Sequence, residues 1–277
     1  MPHRDLPPFY VVTVSYHSGS QLPELIASLS PLPLVIKLII TNHSPEESLA
    51  ELKAPFPVQV IVQDNAGYGA GLNRGLREIG EGNAIALLCN PDVALLTPEK
   101  VADALAFLAA NPGVGCLIPR SVDLSGHSHN PCRTFYSWKT LLATRMAIFR
   151  RVFAGAYREH FYLDAVGDQP MEVDWGCGAA IFYRVAAFGG GPTFDEDFFL
   201  YMEDVDLGAR LWRAGLSVVY YPDLLFRHQG QQQSRYRWRF LRYHLVSLGK
   251  FIKKYQGLPQ REGSLGLGAQ GPRSRRH

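Results

Sequence analysis

The stretch Phe9-Tyr-Val-Val-Thr-Val-Ser15 decides the fold class, because β-branched and aromatic residues run through it without a glycine or proline. A run that is apolar on both faces is typical of a strand buried on both sides of a sheet. Similar runs follow at residues 35–41, 58–62 and 84–89. The pattern predicts four buried strands in the first third of the chain.

Segments with helical spacing or helix-capping residues separate these strands. They cover residues 21–29, a helix start at Ser44-Pro45, residues 73–79 and residues 98–111. Proline at the first helical position after a serine cap is a common helix start. The alternation predicts an α/β fold with a Rossmann-like, mostly parallel, doubly wound sheet.

Polar residues follow each of the four predicted strands. The clusters are Ser15-Tyr16-His17, Thr41-Asn42, Asp64-Asn65 and Asn90-Pro91-Asp92. These are common turn residues, so turn formation explains any one cluster taken alone. Ligands of open α/β sheets bind at the carboxyl ends of the strands, and four polar clusters there together favour a nucleotide site.

Composition narrows the class of protein. The chain has 277 residues, of which 47% are hydrophobic and 19% charged, as in a globular enzyme of one or two domains. It has no run of about 18 apolar residues and no apolar segment near Met1, so we expect neither a spanning helix nor a signal peptide. Its four cysteines form no Cys-x-x-Cys pair, which argues against a disulfide framework or a structural zinc site and favours the cytoplasm.

The second half of the chain is less regular. We expect a helix around residues 138–153, a strand over 172–183 interrupted at Gly176-Cys-Gly178, and a helix over 201–214. A strand over 216–221, a helix over 235–255 and a disordered tail over 257–277 are expected to complete the chain.

Six acids lie between Asp195 and Asp206, interleaved with large aromatic residues. Glu203, Asp204 and Asp206 fall in a predicted first helical turn, where acids are favoured by the helix dipole. One interpretation is therefore a solvated helix start. Carboxylates among aromatic rings also acquire a raised pKa, which suits a general base.

Three further motifs allow alternative interpretations. Asp92 can coordinate Mg²⁺ or Mn²⁺ on a diphosphate, or it can belong to a simple β-turn. His228 stands alone in a polar loop, where a structural role is common. The turn Gly67-Tyr-Gly69-Ala-Gly71 nearly matches a dinucleotide fingerprint, although position 72 is leucine and the turn follows the third strand instead of the first.

The C-terminal segment is strongly basic. From Arg227 onward there are 12 Lys and Arg residues against one acid, so this part carries +11 and residues 1–226 carry −8. An apolar stripe runs along the predicted helix: Leu241, Leu245, Leu248, Ile252 and Tyr255. The stripe either docks on the protein core or lies on an anionic membrane. No nucleic-acid module is evident, so nucleic acid is not an expected partner.

Taken in order, the motifs resemble the family 2 glycosyltransferases, and most closely their bacterial rhamnosyltransferase-like branch. The resemblance covers residues 9–245 and is carried by these motifs: Val14-Ser-Tyr-His17, Asn42-His-Ser44, Asn65-Ala-Gly67-Tyr-Gly69, Asn73, Asn90-Pro-Asp92, Asp174-Trp-Gly-Cys-Gly-Ala179, Phe194-Asp-Glu-Asp-Phe-Phe-Leu-Tyr201, Glu203-Asp-Val-Asp206 and His228. The family implies a GT-A fold and an inverting transfer from a nucleoside-diphosphate sugar.

The resemblance also implies roles for residues. Asp92 would bind the divalent metal, Mg²⁺ or Mn²⁺, and His228 would approach the metal or diphosphate. Asp204 would be the catalytic base, with Glu203 beside it in the same motif. The remaining expected contacts with the nucleotide sugar are Ser15, Tyr16, Asn42, Asn65, Gly67, Asn73, Asn90, Trp175 and Gly176.

The resemblance divides the chain as well. Residues 1–226 would form the catalytic domain, with a nucleotide-sugar-binding half at 1–115 and an acceptor-side half at 116–226. Residues 227–256 would form a basic loop and amphipathic helix, in peripheral contact with an anionic membrane through 235–256. Two positions depart from the family: His17 replaces the usual Asn, and Thr41 replaces the usual Asp. Both departures bear on nucleotide affinity and base selectivity.

The expected activity is transfer of a sugar, with dTDP-rhamnose as favoured donor, to a glycan or lipid-linked acceptor in bacterial surface-polysaccharide synthesis. The expected location is the cytoplasm, at the inner face of the membrane. The alternatives are a UDP- or GDP-sugar donor, an NAD-type oxidoreductase built on the Gly67 turn, and a degenerate protein that binds a sugar nucleotide without turnover.

Overall fold

A computed structural model describes residues 6–80, 82–230 and 238–261. Within them lie twelve strands: β1 Phe9–Ser15, β2 Val35–Asn42, β3 Val58–Val62, β4 Ile85–Cys89, β5 Val93–Leu95, β6 Val114–Val122, β7 Ser128–His129, β8 Cys132–Arg133, β9 Met171–Val173, β10 Trp175–Gly176, β11 Ala180–Arg184 and β12 Ser217–His228. The α-helices of these residues are α1 Leu22–Leu29, α2 Tyr68–Leu76, α3 Val101–Ala110, α4 Trp138–Arg145, α5 Ala147–Val152, α6 Ala154–His160, α7 Glu203–Arg213 and α8 Trp238–Tyr255.

One large sheet runs through both halves of the chain, in the order β3-β2-β1-β4-β11-β6-β12-β5. The first four strands are parallel, and β12 is parallel to β6. Strand β11 lies antiparallel between β4 and β6, so β6 and β12 point the same way as β4. The α/β class and the mostly parallel sheet are confirmed, and most carboxyl ends meet at one edge.

Two apolar layers sandwich the sheet. Side chains of α1 and α3 pack on one face, and those of α2 and α7 pack on the other. Phe251 of α8 is fully buried in the second layer, so the C-terminal helix docks on the core. None of the described helices is long and apolar enough to cross a bilayer.

Local structure departs from expectation in two places. The segment at Ser44 is a turn, because the cap chemistry is used inside the loop: the Ser44 hydroxyl accepts from the His17 N–H at 2.9 Å, and the Ser44 N–H donates to Asn42 Oδ1 at 2.9 Å. The single helix expected around 138–153 is broken into α4 and α5, because Met146 has an extended backbone, with φ −130° and ψ 123°.

The stripe expected on the C-terminal helix is split. Leu241 and Leu245 are 44% and 60% exposed, while the docked face is formed by Ser247 and Phe251. Residues 235–237 of the expected helix and 262–277 of the expected tail lie outside the described residues.

Candidate active site

Sheet topology brings Asp92 and His228 together across 136 positions of sequence. After β4 the chain turns back at Asn90-Pro91-Asp92, and β5 pairs antiparallel with the end of β12, so that Val93 lies opposite His228. The Gln229 N–H donates to the Asp92 carbonyl at 3.1 Å, and Asp92 Oδ1 lies 3.3 Å from His228 Nε2. Asn90 Nδ2 is 3.4 Å from the same imidazole nitrogen. The two expected metal residues therefore form one small cluster.

The donor set of this cluster suits a divalent cation. The Asp92 side chain is only 9% exposed, and its ion-pair partner among the described residues is an imidazole, not a lysine or arginine. A buried carboxylate without a permanent cation is costly, which a metal ion relieves. No group of three or more His, Cys, Asp or Glu in the described parts of the chain could hold a metal.

A second cluster, the carboxylate pair Glu203 and Asp204, directly follows a strained stretch of backbone. Tyr201 and Met202 both adopt the left-handed conformation, with φ of 68° and 70°, immediately before α7 begins at Glu203. Two consecutive non-glycine residues in this conformation cost free energy and are most often found where function needs them. The turn places the Glu203–Asp204 pair at the N-terminus of α7.

Burial sets the electrostatics of the pair. Burial, with the nearby charge of Asp204, raises the pKa of Glu203, and burial likewise raises the pKa of Asp204. Asp204 Oδ1 accepts from the Val205 N–H at 2.8 Å, whereas Glu203 Oε2 is buried without a hydrogen-bond partner. Neither carboxylate has an ion-pair partner among the described residues. A half-buried carboxylate with a raised pKa is suited to accept a proton.

A cleft of about 480 Å³ joins the two clusters. Asn90, His228, Glu203 and Asp204 line it, whereas Asp92 reaches it only through its contact with His228. The same pair also lines a smaller cavity of about 320 Å³, so the two carboxylates border both cavities.

Tyr68 and Arg133 are among the cleft residues that sequence reasoning did not assign to the site. Tyr68 lies inside the glycine-rich turn, and its hydroxyl donates to the Gly178 carbonyl at 3.4 Å. Arg133 ends the short strand β8; burial raises the pKa of Asp204, and the charge of the Arg133 guanidinium opposes that effect in part. Only the adjacency of Tyr68 to Gly67 could have drawn attention to either.

Of the nine expected nucleotide-sugar contacts, Asn90 lines this cleft and eight do not: Ser15, Tyr16, Asn42, Asn65, Gly67, Asn73, Trp175 and Gly176. Ser15 and Asn42 end neighbouring strands, and their polar side chains bond within their own loops, to Ser18 Oγ at 3.2 Å and to the Glu47 carbonyl at 3.0 Å. Tyr16 is 50% exposed beside them. Asn65 Oδ1 accepts from the Gly67 N–H at 3.0 Å.

The Asn73 side chain forms hydrogen bonds within the protein. Its amide donates to the Phe194 carbonyl at 2.8 Å and accepts from the Phe194 N–H at 2.9 Å, and it also reaches Glu196 at 2.9 Å. The side chain is 4% exposed and joins α2 to the acidic segment before α7.

The glycine-rich turn is packed against the same segment. Gly67 has φ of +108°, and a Cβ there would lie 2.5 Å from the Phe199 carbonyl oxygen, which itself accepts from the Tyr68 N–H at 3.1 Å. The start of α2 is therefore covered by protein, and its first N–H is not presented to a pyrophosphate. This arrangement argues against the NAD-type alternative.

Trp175 and Gly176 form the short strand β10. Trp175 is 5% exposed, lines the smaller cavity and donates from Nε1 to the Thr134 carbonyl at 2.9 Å. A Cβ on Gly176 would lie 2.5 Å from Ile118, so glycine permits the close packing of β10 on β6.

Known proteins share this sequence pattern. The profile of the family described as "Glycosyltransferase like family 2" matches residues 7–242. The chain is 32% identical over 238 residues to the N-acetylglucosaminyl-diphospho-decaprenol L-rhamnosyltransferase of Mycobacterium tuberculosis (strain ATCC 25618 / H37Rv), covering 79% of this chain and 75% of that protein. It is 30% identical over 105 residues to rhamnosyltransferase WbbL of Escherichia coli (strain K12), covering 38% of each.

Solved structures share the architecture. The mannosyltransferase PcManGT from Pyrobaculum calidifontis, in complex with GDP-Man and Mn²⁺, matches with a TM-score of 0.58 and 14% identity over 94% of this chain and 66% of that one. GalNAc-T7 with UDP, GalNAc and Mn²⁺ matches with a TM-score of 0.58 and 13% identity over 81% of this chain and 44% of that one. At such identities the likeness shows the fold, and it confirms the expected GT-A fold. With the profile match over residues 7–242 and the likeness to the mycobacterial enzyme, the chain belongs to glycosyltransferase family 2.

Proposed function

We propose that this protein is a metal-dependent, inverting glycosyltransferase that moves a sugar from a nucleoside diphosphate to an acceptor hydroxyl. The observation that carries the proposal is the cleft lined by Asn90 and His228 and by the Glu203–Asp204 pair, with Asp92 in contact with the His228 imidazole. One side offers ligands for a cation on a diphosphate, and the other offers a carboxylate without a permanent cation.

The chemistry follows from this placement. Asp204 accepts the proton of the acceptor hydroxyl while that oxygen attacks the anomeric carbon. The bond from the anomeric carbon to the phosphate oxygen breaks, and the nucleoside diphosphate leaves with the bonding electrons. A single in-line displacement inverts the configuration, and no protein acid has to protonate a leaving group that is already stable as an anion.

A divalent ion bound at Asp92 and His228 would supply charge neutralisation of the departing diphosphate. The protein's own contribution is to hold a carboxylate and an imidazole at one point. Asp92 Oδ1 and His228 Nε2 are 3.3 Å apart, within the span that a shared cation bridges. The Mn²⁺ in the complexes of GalNAc-T7 and PcManGT supports a metal in this fold, without deciding between Mg²⁺ and Mn²⁺.

The favoured donor is dTDP-rhamnose, because both curated relatives are named rhamnosyltransferases. The half-exposed Tyr16 ring offers a face on which a base could stack. Thr41, which replaces the family's usual acid, is fully buried and donates to the Gly71 carbonyl at 2.8 Å. The departure thus serves packing between β2 and α2, and UDP- or GDP-sugars remain the alternative donors.

The proposed acceptor is a glycan or a lipid-linked sugar, used on an anionic membrane at the cytoplasmic face. Exposed apolar side chains on α8, at Trp238, Leu241 and Leu245, support membrane contact through residues 235–256. Exposed Ile148 and Val152 of α5 lie beside Arg150 and Arg151 and extend the mixed apolar and basic character. Such a combination binds anionic bilayers.

The test is a thermal-shift panel of dTDP-, UDP- and GDP-sugars and NAD(H), each with and without Mn²⁺ or Mg²⁺. A ligand at 100 times its dissociation constant adds about 2.7 kcal/mol to stability, which gives a clear shift. We expect metal-dependent stabilisation by one class of nucleotide sugar, followed by transfer with that donor. Stabilisation by NAD(H) alone, or nucleotide-sugar binding without any transfer, would overturn the proposal.

A further inference from the structure

Glu203 is a buried acid that the proposed transfer does not use, although it stands directly before the base Asp204. It is the first residue of α7 and is 9% exposed. It lines both the cleft of about 480 Å³ and the smaller cavity of about 320 Å³. An acid on the wall of both cavities can interact with a ligand that fills either one.

The two acids differ in the contacts that stabilise a negative charge. Asp204 Oδ1 accepts from the Val205 N–H at 2.8 Å, and the Gly178 N–H also favours the ionised form of Asp204. Glu203 Oε2, by contrast, is buried and has no hydrogen-bond partner in the described part of the chain. Hydrogen-bond donors favour the charged form of a carboxyl, and burial without them favours the neutral form. When the pair holds one proton, these contacts therefore favour Glu203 as its carrier.

The pKa shifts agree with the contacts. Burial, together with the charge of Asp204, raises the pKa of Glu203, and the backbone N–H of Glu203 opposes this effect only in part. Neighbouring carboxyls in a buried site do not both ionise readily, because the first charge repels the second. One proton is therefore retained by the pair over a range of pH.

Side chains of the surrounding elements place their positive charge in favour of Asp204. Each neighbouring element contributes a titratable or charged side chain to the two cavities: Tyr68 of α2, Arg133 of β8, Arg145 of α4, His160 of α6, His228 of β12 and His244 of α8. Burial is the main reason that the pKa of His160 is lowered to about 3 and that of His244 to about 4, so both are neutral near pH 7. The charge of Arg133 lowers the pKa of Asp204, which makes Asp204 the ionised member of the pair.

A neutral Glu203 has an O–H group, and this group requires an acceptor. None of the described residues accepts a hydrogen bond from Glu203 Oε2. A buried polar group without a partner is costly, and in a native protein it points to a ligand or water that completes the bond. The hydroxyl oxygens of a sugar are acceptors of this kind, and Glu203 lines the cavities that a sugar would enter.

We propose that Glu203 is a neutral carboxylic acid in the working enzyme and donates its O–H to a hydroxyl oxygen of the bound sugar, while Asp204 holds the negative charge of the pair. The inference rests on the proposed function, because it takes the ligand of the cavities to be a sugar. A carboxylic acid that is kept neutral by its surroundings can serve as a hydrogen-bond donor at pH 7. Ionisation of Glu203 at alkaline pH removes this donor and places a second charge beside the base.

The location of the proton can be tested without substrate. The informative variant is Glu203→Gln, because a carboxamide has the size of the neutral acid, can donate a hydrogen bond and cannot ionise. The control is Glu51→Gln, at an exposed position outside both cavities. The measurements are urea unfolding at a series of pH values and the infrared difference spectrum between the wild type and each variant at pH 7.

We expect the wild type to lose stability relative to Glu203→Gln as the pH rises from about 4, the ordinary pKa of a glutamate, to the folded pKa. The unfolding constant of the wild type, divided by that of Glu203→Gln, should increase about tenfold for each pH unit and should still be increasing at pH 7. The infrared difference for Glu203→Gln should contain the C=O band of a protonated carboxyl, and that for Glu51→Gln should not. A ratio that levels off below pH 7, or the absence of this band, means that Glu203 is ionised and the proposal is wrong.

The hydrogen bond to the sugar is tested by comparing Glu203→Met with Glu203→Gln, since both are neutral and methionine lacks a donor. We expect Glu203→Met to weaken sugar binding by roughly threefold to tenfold, as for loss of one neutral hydrogen bond, and Glu203→Gln to bind like the wild type. A loss for dTDP-rhamnose but not for dTDP, each with Mn²⁺, assigns the bond to the donor sugar. A loss confined to the KM of alkyl glycoside acceptors assigns it to the acceptor.

Equal behaviour of the two variants toward both substrates would overturn the contact. If no nucleotide sugar binds to the wild type, the transferase proposal fails, whereas unfolding and infrared spectroscopy still decide which carboxyl holds the proton. The two failures are therefore distinguishable.

Discussion

Two neighbouring acids on opposite sides of α7, Asp206 and Asp204, differ in whether a cation is paired with them. Asp206 is fully buried, and its Oδ1 accepts from Lys254 Nζ at 2.6 Å and from the Tyr255 hydroxyl at 2.8 Å, both on α8. Asp204, two residues earlier, faces the cleft with no cation paired to it among the described residues. Residues two apart on a helix point about 200° away from each other, so one acidic motif supplies both a structural anchor and a reactive carboxylate.

This difference explains part of the charge asymmetry. Lys254 also bonds Asp195 Oδ2 at 2.6 Å, and Lys250 donates to the Asp197 carbonyl at 2.6 Å. The basic helix therefore holds the acidic segment that precedes α7, and only its outer side is left for another partner. By pairing with Asp195 and Asp206, Lys254 stabilises the turn that precedes Asp204.

The largest effect should come from removing the reactive carboxylate. Asp204→Asn keeps the shape but cannot take a proton, so we expect transfer to fall by about 10²–10⁴-fold. Donor binding should remain nearly unchanged, as measured by calorimetry with the nucleotide sugar and Mn²⁺. If binding is lost along with transfer, Asp204 is a donor contact and not the base.

On the opposite side of α7, loss of the cation paired with Asp206 should lower the stability of the protein. Lys254→Met leaves the buried Asp206 without its cation, and we expect the free energy of unfolding to fall by roughly 3 kcal/mol, since Lys254 is itself partly exposed. The measurement is urea unfolding. The control is Lys253→Met, at the exposed position directly before Lys254 on α8, and it should change the free energy of unfolding little. Equal losses would mean that helix propensity, not the ion pair, is responsible.

Asp92 extends the comparison to the carboxylate that contacts His228. Asp92→Asn should weaken the metal-dependent part of nucleotide binding about 10–100-fold or more, because even outer-shell changes at metal sites cost that much. The metal-dependent part of the affinity is the difference between dTDP titrations with Mn²⁺ and with EDTA. Asp103→Asn, at an exposed position on α3, should behave like the wild type. A loss of the same size in EDTA would contradict the metal role.

The smallest effect concerns pH and stability. Burial raises the pKa of Asp204, so its ionised form is disfavoured in the folded protein. The folded state then holds its proton to higher pH than the unfolded state, and this contribution to stability is present at low pH and lost as the pH rises through the folded pKa.

Asp204→Asn lacks this titration, so it should gain stability relative to the wild type as the pH rises above about 4, the ordinary pKa of an aspartate. The gain is about 1.4 kcal/mol for each pH unit that separates the unfolded pKa from the folded one, and it levels off above the folded pKa. Urea unfolding of both proteins at a series of pH values measures it. A constant difference across pH would exclude the raised pKa.

Much of the architecture could be predicted from local pattern. The apolar runs of β1, β2, β3 and β4 occur in the predicted order and are flanked by turn residues, so their class and order are confirmed. The predictions of a helix at Ser44 and of a single helix around 138–153 are wrong, because a side-chain network and an extended Met146 decide those segments. Short segments of this kind take their conformation from distant partners, not from propensity.

The sequence by itself determined the succession of strands along the first half of the chain, the family, and the motifs in which Asp92, Glu203, Asp204 and His228 occur. Periodicity and motif spacing are local properties of the sequence, which is why they could be predicted. Only the tertiary structure decided that β5 folds back onto β12 and joins Asp92 to His228. It also decided that Asn73 bonds to Phe194, that Arg133 and Arg145 line one cavity, and that α8 neutralises one acid of α7 and leaves another without a cation among the described residues. Those outcomes depend on contacts between residues far apart in the chain, which a linear pattern does not encode.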